Sequence, residues 1–183
     1  MYYLQQGITF VLPIQQHKLF TMTKLRYFEP NIIALVAQFH ELFKQPILTE
    51  PAIPSKDRSS LRVDLLQEEL DELRIAIEKK DIVGVADALA DIQYVLSGTV
   101  LEFGLASRFG WILNEVHRSN MSKACDTQEE AVRTIERYRN EEGVTAYAYQ
   151  DGDKWIVRRV LDNKTLKSIN YSPANIKLIL EDI

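Results

Sequence analysis

Asp87 and Asp91 stand one helical turn apart in the middle of a run, Ile82 to Phe103, that is otherwise apolar almost all round. A helix apolar on every side is a core helix. Like charges at i and i+4 repel, so this pair weakens the helix that carries it unless something neutralises it. Gly84 and Gly98 extend the same stripe. Oxygen ligands with no His or Cys nearby suit Mg²⁺ or Mn²⁺, which take carboxylates and waters and leave positions open for phosphate oxygens. The structural alternative is a pair of Asp side chains capped by Arg or Ser from a neighbouring helix.

The segment just before this run sharpens the choice. Val63, Leu66, Leu70, Leu73 and Ile77 recur at helical spacing and form one apolar seam. Glu68, Glu69 and Glu72 fall on a different face, among Leu61, Leu65 and Ala76. A helix apolar on two sides packs on both, so its carboxylates are expected to be partly buried and to need a cation or basic partners. Ser60 is the expected N-cap. Between Lys56 and Asp91 the chain carries 6 Lys or Arg against 10 Asp or Glu, so the whole formal charge of −4 resides there.

Composition removes several other classes. A chain of 183 residues with 46% apolar content is long enough for one core and a small appendage. Its acidic balance argues against binding a nucleic-acid polymer, which needs clustered Lys and Arg. No apolar run approaches the roughly 18 to 20 residues of a membrane span, so no membrane partner is expected. A single cysteine, Cys125, makes neither an internal disulfide nor a multi-cysteine zinc site and points to a cytoplasmic setting. His17, His40 and His117 show no zinc spacing, and His40 is expected at the edge of a packed helix. P-loop and dinucleotide-binding glycine patterns are absent from the sequence.

Leu65-Leu66-Gln67-Glu68-Glu69-Leu70-Asp71-Glu72-Leu73, followed by Ala86-Asp87-Ala88-Leu89-Ala90-Asp91-Ile92-Gln93-Tyr94 and Gly98-Thr99, resembles the all-α nucleoside triphosphate pyrophosphohydrolase superfamily. That group includes MazG, dimeric dUTPases and phosphoribosyl-ATP pyrophosphohydrolase. Its pattern is Glu-Glu-x-x-Glu on one helix and Glu-x-x-Asp on the next. Glu68, Glu69 and Glu72 match the first element, Asp87 matches the Asp of the second, and Gly84 stands where the second element has Glu. The resemblance covers roughly Asn31 to Lys123. It implies Mg²⁺-dependent cleavage of a nucleotide between the α- and β-phosphates, with Mn²⁺ as a substitute. In that reading Glu68, Glu69, Glu72 and Asp87 are catalytic, and Glu69, Glu72, Asp87 and Asp91 hold metal. Arg118, Asn120 and Lys123, then Lys56 and Arg58, are the candidates for the substrate's phosphates. Asp91 is the nearest substitute for the missing Glu, and Gly84→Glu is expected to stabilise its helix.

The expected fold is mainly α, a MazG-like helical bundle completed by dimerisation, with a small C-terminal β-hairpin or three-stranded appendage. Residues 1–26 are expected as a leader or arm, with no regular periodicity before Met22. Residues 27–125 form the core and 126–183 a helix plus hairpin. Thr127 and Glu130 mark a helix start, Gly143 its end, and Asp151-Gly152 a hairpin turn. Lys164 to Ser168 is expected as a third short strand. The two-sided apolar pattern predicts a homodimer, or a dimer of dimers. The alternatives are a phosphoribosyl-ATP pyrophosphohydrolase and a catalytically silent helical module of the same fold.

Overall fold

The structure is a computed structural model that describes residues 2–5, 8–11 and 31–181. It divides into two compact units, Lys24–Trp111 with Ile179–Ile183, and Met1–Thr23 with Ile112–Leu178. Mainly helical content with a small C-terminal hairpin is therefore what the chain forms. The division falls inside a helix, well before the expected boundary at residue 125.

The helical unit contains α1 (Ile32–Leu42), α2 (Lys56–Lys79) and α3 (Ile82–Glu102). Asn31 caps α1 by accepting the Ala34 N–H at 3.3 Å. Ser55, not Ser60, caps α2, accepting the Arg58 N–H at 3.5 Å. Lys56 and Asp57 therefore join the first turn. At the other end Lys80 adopts the left-handed conformation at φ 59, and Asp81 at once caps α3 through the Val83 and Gly84 N–H groups.

This tight connection makes α2 and α3 an antiparallel hairpin, and the close contacts give its register. A Cβ built on Gly84 would lie 3.2 Å from the Ala76 Cβ, and one on Gly98 would lie 2.6 Å from Arg62 Nη2. Arg62 and Ala76 are two heptads apart on α2, and Gly98 and Gly84 are two heptads apart on α3. The midpoint of this face pairs Glu69 with Asp91. The helices thus meet on the acid-bearing face of α2. Of the expected seam, Val63, Leu70 and Ile77 are left outward at 64%, 47% and 58% exposure, while Leu66 and Leu73 are half-buried.

His40 is not at a helix edge but buried, its Nδ1 2.9 Å from the Pro46 carbonyl oxygen. Beyond α3, Gly104 at φ 66 permits the Leu48 N–H and Ala52 N–H to reach the carbonyls of Leu101 and Phe103. A Cβ there would fall 1.9 Å from the Glu50 carbonyl oxygen, so only glycine fits.

The second unit holds β1 (Tyr2–Gln5), β2 (Ile8–Val11), α5 (Gln128–Glu142), β3 (Ala146–Asp151) and β4 (Lys154–Arg159). The helix α4 (Phe109–Met121) carries the division between units, and the short α6 (Ile176–Glu181) follows the sheet. The four strands lie in the order β1-β2-β3-β4, with β1/β2 and β3/β4 antiparallel and β2/β3 parallel through Phe10 and Ala148. The beginning of the chain therefore does carry strands. Their formation is a pairing effect, since no alternation of apolar residues announces them. The rest of the expected leader to residue 26, His17 and Met22 included, and residues 27–30 lie outside the described residues.

One face of β3 and β4 packs on α5, and Cys125, Ala131, Ile135, Tyr138, Ala148 and Val157 are the centre of this core. Burial pushes the Cys125 thiol up, in keeping with a structural cysteine. Thr127 caps α5 and Gly143 closes it at φ 64. Asp151 pairs with Lys154, so the hairpin turns on Gly152 and Asp153, one residue later than expected. The expected third strand reduces to one bridge between Arg158 and Thr165, because the chain leaves the sheet edge after Leu166.

Candidate active site

Five carboxylates gather on the α2–α3 hairpin. Glu69 is half-buried at the centre of the helix contact, whereas Glu68, Glu72, Asp87 and Asp91 are exposed around it. The Glu69 carboxyl is held above the usual carboxylate range, first by burial and then by the charges of Asp91, Glu72, Glu68 and Asp87, in that order. The precedence of Asp91 over Asp87 agrees with the register that sets Glu69 opposite Asp91. None of the five forms an ion pair among the described residues. The structural alternative, an Arg or Ser cap over the two Asp side chains, is not what the described contacts contain.

The donor set is oxygen only, which is the chemistry Mg²⁺ and Mn²⁺ prefer. Among the described residues no three His, Cys, Asp or Glu side chains stand close enough to enclose a metal ion as placed. Mg²⁺ needs only one or two carboxylates beside its waters and the substrate's phosphates, so the residues fit the ion in type and number.

Gly84 has a local cause. A Cβ there would sit 2.9 Å from the Asp81 Oδ2 and 3.2 Å from the Ala76 Cβ. Glycine lets the Asp81 side chain fold over the first turn of α3 while α2 comes close. A side chain at Gly84 must therefore shift Asp81 Oδ2 and press on Ala76, which opposes the helix propensity that Gly84→Glu would gain. Gly84→Ala should instead lower stability, because the ~1 kcal/mol of helix propensity gained is offset by a displaced cap worth about 1 kcal/mol and by pressure on Ala76. Thermal unfolding of Gly84→Ala against wild type checks this, and in an Asp81→Ala background the penalty should shrink. A Gly84→Ala protein that melts above wild type would contradict the packing argument.

The expected substrate cations divide. Along one helix at about 1.5 Å per residue, Lys56 and Arg58 are roughly 20 and 16 Å from Glu69. Arg58 donates through Nε to Glu102 Oε2 at 3.1 Å and through Nη2 to Glu102 Oε1 at 2.5 Å, with a further bond to Gln45. Its guanidinium is thus committed to a buried carboxylate. Lys56 is exposed in the first turn of α2.

Arg118, Asn120 and Lys123 belong to the second unit. Arg118 Nε and Nη2 donate to both Glu115 oxygens at 2.7 and 2.8 Å, and Nη2 also to the Pro173 carbonyl. The Arg118 bonds and the Asn175 N–H pull the Glu115 carboxyl down to about 2. Lys123 Nζ donates to the Asn120 amide oxygen at 2.7 Å. A cavity of about 260 Å³ next to this segment is lined by Met121, Ser122, Asp126, Lys154 and Asn170 among others.

The residues that sequence reasoning did not single out are Arg62 and Glu102. Both are buried, at 7% and 0% exposure. Arg58 and Arg62, one turn apart at the start of α2, were the available signal.

Residues 36–120 match the phosphoribosyl-ATP pyrophosphohydrolase family. That span holds all five acids, Arg58, Arg62 and Glu102. In that span the chain is similar to a family of the all-α nucleotide pyrophosphohydrolase superfamily. The chain is also 31% identical over 130 residues to the uncharacterized protein L479 of Acanthamoeba polyphaga mimivirus, covering 65% of this chain and 49% of that protein. It therefore spans about half the length of the viral relative. No helix among the described residues is long and apolar enough to cross a membrane.

Proposed function

We propose that the chain is a Mg²⁺-dependent nucleoside triphosphate pyrophosphohydrolase, releasing a nucleoside monophosphate and pyrophosphate in a cytoplasmic setting. The supporting observation is the gathering of Glu68, Glu69, Glu72, Asp87 and Asp91 around the α2–α3 contact without a basic partner, in a segment that matches a pyrophosphohydrolase family. Glu69, Glu72 and Asp87 would hold the ion, with Mn²⁺ able to replace it. When bound, the ion supplies charge neutralisation at the phosphoryl oxygens and a more acidic water. Glu68 and Asp91 would position water or a second ion beside the phosphate. Of the side chains suited to phosphate oxygens, Arg58 stands paired with Glu102, Arg118 with Glu115 and Lys123 with Asn120, while Lys56 is exposed.

The substrate test is a panel of ribo- and deoxynucleoside triphosphates with Mg²⁺, assayed for pyrophosphate. Phosphoribosyl-ATP belongs in the panel because the matching family bears its name. Absence of pyrophosphate with every nucleotide would leave the silent helical module. Asp91→Asn should raise the Mg²⁺ needed for half-maximal rate several-fold, since Asp91 is the strongest charged neighbour of Glu69. Superimposable Mg²⁺ titrations for the two proteins would make Asp91 a structural acid.

The same reading includes a homodimer or a dimer of dimers. Val63, Leu70 and Ile77 on α2, and Ile82, Leu89 and Leu96 on α3, each recur every seven residues and are all exposed. Burying a side chain of this size is worth about 1.5–3 kcal/mol, and heptad stripes are the pattern that pairs helices. Leu70→Asp should give monomer or aggregate by light scattering, with wild type dimeric or larger at micromolar concentration. A monomeric wild type there would end the dimer proposal.

A further inference from the structure

Glu69 and Asp91 repel each other across the helix contact, so something outside the acids must hold α2 and α3 together. At one end Ala76 closes on Gly84. At the other, one heptad from Glu69, Arg62 reaches across α3. Its Nε donates to Thr99 Oγ1 at 3.2 Å, its Nη2 to the Val95 carbonyl at 2.6 Å, and its Nη1 meets Glu102 Oε1 at 3.5 Å. Val95 and Thr99 lie one turn apart on α3, and Glu102 lies three residues beyond Thr99. Gly98 makes room for this guanidinium, since a Cβ there would lie 2.6 Å from Arg62 Nη2 and 2.9 Å from His40 Nε2. Glu102 also receives Arg58, which ties the first turn of α2 to the last turn of α3.

We propose that Arg62 is a positioning residue for the acid site, clamping α2 to α3 through Val95, Thr99 and Glu102 so that Glu69 and Asp91 stay opposed within reach of one divalent cation. This rests on the pyrophosphohydrolase reading for its catalytic readout, though not for its metal readout. The physical logic is leverage. Two rigid helices joined at the Lys80–Asp81 connection can splay only at the far end, and that is where Arg62 sits. Loss of the clamp lets the repelling acids separate at the middle of the hairpin while the helices themselves persist. Arg74, exposed on the same helix and paired with Asp71 among the described residues, carries the same charge without crossing to α3.

The test compares wild type, Arg62→Lys, Arg62→Met, Arg62→Met/Glu102→Gln and, as a charge control, Arg74→Met. Pyrophosphate release, Mn²⁺ binding by calorimetry without nucleotide, and thermal unfolding are read for each. Arg62→Met should lower kcat by roughly tenfold to a hundredfold with little change in the nucleotide KM, and weaken Mn²⁺ several-fold. Arg62→Lys should recover part of both, and Arg74→Met should match wild type. Glu102 keeps Arg58 in Arg62→Met and gives up that ion pair in the double variant, so the melting temperature of the double variant should fall below that of Arg62→Met while its kcat and Mn²⁺ binding stay at the Arg62→Met level.

A further fall of kcat and Mn²⁺ affinity in step with stability in the double variant would overturn the proposal, as would folded Arg62 variants with wild-type values. If wild type binds Mn²⁺ but releases no pyrophosphate, weakened Mn²⁺ in the Arg62 variants still upholds the clamp while the enzymatic reading fails. A wild type that does neither removes the site and the clamp together.

Discussion

Glu69→Ala and Glu72→Ala are each expected to abolish measurable pyrophosphate release while leaving the protein at least as stable as wild type. The two effects have opposite signs for one reason. Glu69 is half-buried among four other carboxylates, and both its burial and its neighbours hold its carboxyl above the ordinary range. A charge held at such a cost weakens the fold that carries it, and Ala is the best helix former available to replace it. Removal therefore relieves repulsion. The same removal takes away an oxygen ligand from the proposed cation. Loss of about 4 kcal/mol of transition-state stabilisation would slow turnover roughly a thousandfold. Pyrophosphate assays with saturating Mg²⁺, run beside thermal unfolding, measure both. Undiminished release by both variants would remove the site assignment. A collapse of folding in step with activity would instead make the acids structural.

The pattern of charges in the sequence was enough to bring these five acids to notice, and the reason is physical. Acids interrupting apolar helical stripes are costly, so Glu68, Glu69, Glu72, Asp87 and Asp91 stand out against any pattern built for packing alone. What periodicity did not reveal was which face of α2 meets α3. The seam of Val63, Leu70 and Ile77 is the more apolar one, yet α3 packs on the face of Arg62, Glu69 and Ala76. That choice is made by two glycines on the partner helix, and an amphipathic pattern on one helix contains no information about gaps on another. Gly84 and Gly98 were visible as a stripe, but their meaning needed the atoms opposite them.

Other mismatches have equally local causes. Ser55 outcompetes Ser60 as the α2 cap because the chain following Pro54 already has the geometry to enter a helix. The strands Tyr2–Gln5 and Ile8–Val11 pair with each other over four residue pairs, and β2 also meets β3, more than a hundred residues away, through Phe10 and Ala148. Helix starts and stops governed by adjacent residues, such as Thr127, Glu130 and Gly143, were legible. Long-range pairings of polar groups were not, and the clearest case is the buried network of Arg58, Arg62 and Glu102.

Glu102→Ala is expected to be the most destabilising single change in the helical unit. Glu102 is fully buried and accepts from Arg58 and Arg62. Burial already pushes the Arg62 guanidinium down, with the charge of Glu102 the opposing influence and that of Arg58 adding to the depression. Deleting the carboxylate leaves Arg62 with its bonds to Thr99 and Val95 but no counter-charge, and leaves Arg58 beside a cavity. Breaking a buried pair in this way costs about 3–5 kcal/mol. In a unit of this size that corresponds to a fall of more than about 12 °C in melting temperature. The loss should not be read as the worth of the network, because most of it is the penalty of an uncompensated buried cation. The triple replacement Arg58→Met/Arg62→Met/Glu102→Leu removes every charge at once and should regain most of the lost stability, since well-packed apolar groups often substitute for buried ion pairs without loss. Calorimetric melts of the single and triple variants decide the matter. A single variant within about 2 °C of wild type would mean that Glu102 contributes nothing to folding. A triple variant as unstable as the single would place the cost in lost packing and not in unpaired charge.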